Sequence, residues 1–397
     1  MHSPILQHKQ IHQFTLAVSC MLLMVQGYAF APLQPTLSAE FHSGLVNHSV
    51  PLFILSFSLS AAGMLWKHEM LNLRICFFLS LLALGTGLLF ISTAQSALSF
   101  LLIRILTGIG TGLMLPSALM LSGWHVRPRH APFNFAIIMF SLATGMTFGP
   151  SLGGWLNDIC GWRLFYRSMG ITSTILAIVY YLNTGGLKGW HHLRSLSNRP
   201  SVLTVLSKNW NSYLFAFLTG IFHSSVFVWI IVYFTKSYQL TEYQVANELL
   251  LFGLPGLVVA FGLFRYKLDA KVLPILYTTL TLTIAGLLVL LSDLPLFVEE
   301  ILLCVISLGF GCSQPLFIGL INIPLKIIPL SLGSSALFAG YGLGPIIMDI
   351  LLEWNIESAT IFAITIALSL IALSVFIWPG VLRQQTQSSA FKRAGIS

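Results

Sequence analysis

Gly145-Met-Thr-Phe-Gly149-Pro150-Ser-Leu-Gly153-Gly154 has a shorter counterpart 195 positions further on, Gly340-Tyr-Gly-Leu-Gly344-Pro345, and the G-x-x-x-G-P pattern they share decides how this chain is built. Glycines at 145, 149 and 153 recur every four residues, so they lie on one helix face and form a flat strip on which a neighbouring backbone can close in. Pro150 removes one internal hydrogen bond and bends the helix. A second pair precedes the first in the same order: Gly110-Thr-Gly112-Leu-Met-Leu-Pro116 and Gly309-Phe-Gly311-Cys-Ser-Gln-Pro315, 199 positions apart. Both offsets are close to half of the 397 residues, so the chain reads as two related halves in parallel order.

Composition identifies the solvent around these strips. The chain is 56% hydrophobic and 8% charged, whereas soluble domains carry about 25% charged residues. A bilayer span needs about 20 apolar residues, and such stretches run over 14–36, 48–66, 74–93, 98–122, 132–156 and 164–182, then 212–234, 243–264, 272–291, 296–320, 328–351 and 359–381. The first stretch is too long for a signal-peptide core and lacks a small-residue cleavage site, so it is kept as a span. The expectation is an all-α integral membrane fold of twelve transmembrane helices in two six-helix pseudo-repeats. Residues 1–182 form the N-terminal bundle, 183–211 a polar cytoplasmic connector, and 212–397 the C-terminal bundle with a cytoplasmic tail.

The net charge of +8 sits in short clusters between spans and forms no continuous basic arm, so no nucleic-acid partner is expected. Lys67, Arg74, Arg127, Arg129, Arg265, Lys267, Lys271 and Lys326 fall on the face that holds both termini. Glu40, Asp158, Glu242, Asp293, Glu353 and Glu357 fall on the other. Short cytoplasmic loops collect Lys and Arg, so both termini are expected in the cytoplasm of a bacterial inner membrane. The five cysteines, Cys20, Cys76, Cys160, Cys304 and Cys312, have no metal-like or redox-like spacing and read as packing residues. No Ser/His/Asp elbow, zinc signature or phosphate-binding Gly-Lys loop is present, so the chain reads as a non-enzyme without metal or cofactor. Its expected partners are the lipid bilayer, a small-molecule substrate and protons, and it is expected to act as a monomer.

Ionisable groups at membrane depth are the functional candidates, because a guanidinium in a span costs about 2.5–3.5 kcal/mol and must face the bundle interior or a wet cavity. Arg104 shares a helix face with Gly108 and Gly112, flanking Gly110. His223 is the most central titratable side chain and Glu248 the best spare carboxylate, so these three are the candidates for proton coupling. Gln26, Tyr28, Phe30, Phe222 and Trp229 are candidate cavity-lining residues. Asp158 and Arg163 are expected to pair in a short loop.

These stretches resemble the major facilitator superfamily, and within it the drug/proton antiporters. Gly145 to Gly154 with the trailing Gly161-Trp162-Arg163 is similar to their fifth-helix motif. Arg104, Gly108, Gly110 and Gly112 resemble their fourth-helix motif, with Thr107 where a Gln is usual. The loop after the second span departs from the family pattern, with Lys67 at the place of an Asp and Leu71 at that of a Gly, and the first helix carries Gln26 where an acid is common. The resemblance implies alternating access with Arg104 in proton coupling, a hinge of Gly145, Gly149, Pro150, Gly153, Gly154, Gly340, Gly344 and Pro345, and export of a drug-like amphiphile or a secreted metabolite such as a siderophore. Two other readings stay open: uptake of a polar organic anion met by Arg104, Arg167 and His223, and a non-transporting membrane sensor or membrane enzyme.

Overall fold

A computed structural model describes residues 4–67, 72–124, 131–184, 202–266, 272–290, 294–320 and 327–393. It is built of α1 (Pro4–Tyr28), α2 (Phe30–Phe41), α3 (Ser49–Lys67), α4 (Leu73–Ile91), α5 (Ala97–Thr111), α6 (Met114–Trp124), α7 (Ala131–Thr184), α8 (Val202–Tyr238), α9 (Glu242–Tyr266), α10 (Val272–Val289), α11 (Leu296–Leu320), α12 (Ile327–Trp354) and α13 (Ile356–Arg393). No strand occurs among the described residues. Much of the loop after the second span, including Glu69 and Leu71, and most of the connector lie outside them.

The helices resolve into twelve spans once three breaks are understood. The first span is interrupted at Ala29, between α1 and α2, one turn before Pro32 withholds the amide that Tyr28 would bind. Pro116 does the same to Gly112, and the fourth span divides into α5 and α6 there. The fifth and sixth spans run together as α7, turned at Gly161, whose φ of 78° and ψ of 155° suit only glycine. By length and apolarity eight segments among the described residues qualify as spans, one of them, 137–184, being this double span; Tyr243–Val259 and Leu276–Val289 are shorter apolar helices, and α11 completes the set.

The packing repeats as the sequence does. α1 lies on α7, α3 on α5, and α4 on α5 and α7; correspondingly α8 lies on α12, α9 on α11, and α10 on α11 and α13. Glycines make these approaches, and equivalent glycines make equivalent ones. Gly145 and Gly149 press against Met21 and Val25 of α1 and Gly153 against Ala29 just beyond it, while Gly340 and Gly344 press against Phe217 and Ile221 of α8. Gly110 and Gly309 meet Ala83 and Thr283 on the adjoining third and ninth spans, and Gly112 and Gly311 meet Phe57 and Gly256 on the second and eighth.

Two seams join the halves, α7 to α9 and α12 to α3, and they are repeat images of each other. Thr147 of α7 fits over Gly253 of α9; at the corresponding place in the other seam Leu55 of α3 fits over Gly342 of α12. The first seam is held by Ser151 Oγ donating to Ala246 O (3.0 Å) and Trp155 Nε1 donating to Asn247 Oδ1 (3.3 Å). The second is held by Ser58 Oγ donating to Ser335 O (2.7 Å) and by the rings of Phe57 and Phe338, with centroids 4.3 Å apart.

Candidate translocation site

Met146 and Tyr341 occupy the same position in the two repeats, each following the first glycine of its strip, and they touch: the Tyr341 hydroxyl donates to Met146 Sδ at 3.8 Å. The pseudo-twofold axis therefore passes between them. Tyr341 also meets His223 of α8, whose Nδ1 lies 3.3 Å from the tyrosine oxygen. Tyr28 of α1 rests on Gly149 and sets its ring edge-on to Phe227 of α8 at 4.8 Å. The helices that cross at the centre thus bring together Tyr28, Met146, His223 and Tyr341. Tyr341 and Met146 did not stand out as chemistry in the sequence; the 195-residue offset is the signal that pairs them.

Arg104 lies deep in the N-terminal bundle, fully buried. Its Nη1 donates to Gln26 Oε1 at 2.5 Å and its Nη2 to Tyr166 Oη at 2.5 Å. The guanidinium is enclosed by the rings of Phe30, Phe53, Phe100 and Tyr166 at 5.1 to 5.8 Å. Among the described residues no carboxylate pairs with it, and Nε has no hydrogen-bond partner. Hydrogen bonds from a charged donor contribute about 1.5–3 kcal/mol each and cation–π contacts about 0.5–2, so two bonds and the ring cage offset the cost of burying the cation. Thr107 packs against Gly87 of α4.

Glu248 is buried in α9, directly after Ala246 and Asn247, which hold α7 across the first seam. Its Oε2 has no hydrogen-bond partner among the described residues. Glu299 instead accepts a bond from Tyr233 Oη at 2.8 Å. Phe222 packs beside His223. Trp229 turns into the C-terminal bundle, donating from Nε1 to Thr360 Oγ1 at 3.0 Å and stacking on Tyr233. Arg167 and Asp349 lie on exposed helix surfaces.

Arg163 does not pair with Asp158. The turn at Gly161 swings it to Glu40, with Nη1 2.5 Å from Oε1, while Trp162 Nε1 donates to Oε2 of the same carboxylate at 2.6 Å. Gly161-Trp162-Arg163 is therefore a clasp that fastens the turn between the fifth and sixth spans to the end of α2. Both partners are partly exposed, so the ion pair contributes at most about 1 kcal/mol. Glu40→Gln is expected to lower the thermal unfolding temperature slightly and leave the folded yield unchanged, read by fluorescence in detergent; no shift in Tm would mean that the clasp adds nothing to stability.

Comparison with known proteins places this geometry. The family model described as Major Facilitator Superfamily matches residues 16–323. The chain is 25% identical over 153 residues to the multidrug resistance protein B homolog of Mycobacterium tuberculosis, covering 37% of this chain and 28% of that protein. It is 23% identical over 304 residues to an uncharacterized transporter of Schizosaccharomyces pombe, covering 73% of this chain and 51% of that protein. The matched segments thus span between about a quarter and a half of these curated relatives. The crystal structure of a human organic anion transporter, MFSD10, superposes with a TM-score of 0.70 over 94% of this chain and 100% of that one, at 15% identity, a likeness of fold alone. With its twelve spans, its two glycine-seamed halves and a match over most of its length, this multi-pass membrane protein belongs to the Major Facilitator Superfamily, a family of membrane transporters and not of enzymes.

Proposed function

We propose that the protein is a proton-coupled exporter of a small amphiphilic molecule, a drug-like compound or a secreted metabolite, working by alternating access in a bacterial inner membrane with both termini cytoplasmic. The observation that carries the reading is the meeting of equivalent residues at the axis: Met146 and Tyr341, one from each half, touch beside glycine strips that pack on α1 and α8, so tilting one half against the other opens or seals the route at that point. The strip's resemblance to the antiporter motif and the multidrug resistance name of one relative support export. The distribution of Lys and Arg supports the orientation.

Glu248 is the carboxyl that carries the proton in this reading. It stands next to the residues that hold the first seam, so a change in its charge acts on the contact that must open. The driving force is a gradient, and a membrane potential contributes about 2.3 kcal/mol per charge per 100 mV. Uptake of a polar anion by Arg104, Arg167 and His223 together has less support, because Arg167 lies on an exposed helix face away from the other two.

In inverted vesicles with an inward-acid gradient, the wild type is expected to accumulate amphiphiles from a test panel. Glu248→Gln is expected to reduce that accumulation at least tenfold while leaving substrate counterflow intact. Accumulation that ignores the gradient, or a Glu248→Gln variant as active as the wild type, would overturn the proton-coupled reading.

A further inference from the structure

The spans of the N-terminal half contain no Asp or Glu; the acids among residues 1–182 are Glu40, Glu69 and Asp158, all between spans. Arg104 is therefore a buried cation whose partners are the neutral oxygens of Gln26 and Tyr166. Gln26 is itself fixed, its Nε2 donating to Leu23 O at 3.1 Å, which leaves Oε1 turned to the guanidinium. Nε remains without a partner among the described residues. An ionised acceptor makes hydrogen bonds about twice as strong as a neutral one, so an arriving anion competes with Gln26 for the guanidinium.

The ring cage around Arg104 also leads to the axis. Phe53, 5.8 Å from the guanidinium carbon, adjoins Phe57 at 6.5 Å; Phe57 meets Phe338 across the second seam at 4.3 Å, and Phe338 adjoins Tyr341 at 5.5 Å. A continuous chain of neighbouring rings thus joins the buried cation to Tyr341 at the axis.

The geometry points to Arg104 as the anchor for the acidic group of an amphiphilic organic anion, a carboxylate, sulfonate or phosphate whose apolar body lies along Phe53, Phe57, Phe338 and Tyr341. This deepens the transporter reading, on which it rests for a route to the site, by fixing the charge of the molecule carried: water-soluble anions are taken and organic cations are not. Gln26 is then a specificity-determining residue, because a carboxylate in its place fills the site from within.

Binding tests this without any flux measurement, so its outcome is separate from that of the proton-driven assay. Naphthalene-1-acetate, its neutral amide and 1-naphthylmethylamine are titrated calorimetrically into the full-length protein in phosphatidylcholine nanodiscs. The acetate is expected to bind at least tenfold more tightly than the amide or the amine. Arg104→Gln and Gln26→Glu are each expected to reduce acetate affinity at least tenfold and leave amide affinity within twofold. Gln26→Glu should also raise Tm, showing that the protein is folded and the new carboxylate is paired. Equal affinity for acetate and amide, preference for the amine, or full acetate binding by Gln26→Glu would overturn the proposal. So would loss of acetate binding in phosphatidylglycerol discs, which would make a lipid headgroup the occupant instead of a soluble anion.

Discussion

Gly340→Ala is expected to reduce folded yield more than tenfold, although it adds a single methyl group. The Cβ of an alanine there would run into Phe217 O, Ile221 N and Gly220 Cα, all backbone atoms of α8. Gly220 faces Gly340 in the same way, its own Cβ position obstructed by Leu337 O and Gly340 Cα, so neither helix holds a side chain that can rotate aside. Overpacking costs about 1–3 kcal/mol where side chains can adjust, and with backbone against backbone the upper end applies. Gly27→Ala and Gly63→Ala are the controls, because nothing lies within 4 Å of a Cβ at either position. The N-terminal strip grades the same effect: Gly153 is obstructed at 2.6 Å by Ala29 O, whereas Gly149 meets its nearest neighbours at 3.1 Å, so Gly153→Ala is expected to cost more than Gly149→Ala. Fluorescence-detected size exclusion and thermal unfolding read the series. A Gly340→Ala protein as stable as Gly63→Ala would mean that α8 and α12 do not pack as described.

Much of the fold was legible because its decisive features are properties of the backbone. Gly and Pro spacing reports where helices approach and bend, so Gly145, Gly149, Gly340 and Gly344 announced the repeat and its close-packed helix pairs. Apolar run lengths counted twelve spans. The breaks at Ala29 and Gly112 were less visible, because the prolines that cause them, Pro32 and Pro116, stand about a turn further on inside runs that remain apolar. The clasp was misread for a related reason: Asp158 is near Arg163 in sequence, but the backbone at Gly161 directs Arg163 toward Glu40.

The candidate site was legible only in part. Arg104, His223 and Glu248 stood out as polar groups in apolar runs, yet their partners are set by packing between distant spans. Gln26 and Tyr166 lie 78 and 62 residues from Arg104 and carry no local mark of the contact. Trp229 shows the limit of reasoning from residue type, since an aromatic in a span serves equally well inside one bundle, where its indole N–H finds Thr360.

The second large effect concerns the seams, which alternating access requires to part. In protein whose five native cysteines are replaced by serine, Ser151→Cys together with Ala246→Cys puts thiols on the two sides of the α7–α9 seam, at positions whose parent atoms are joined by a hydrogen bond. A short reducible cross-linker there ties the halves together at that seam without touching the axis residues or Arg104. Flux into proteoliposomes of a compound that the unlinked protein carries is the measurement. Flux is expected to fall at least tenfold on cross-linking and to return when the linker is reduced. Undiminished flux through fully cross-linked protein would mean that the seam does not part during transport.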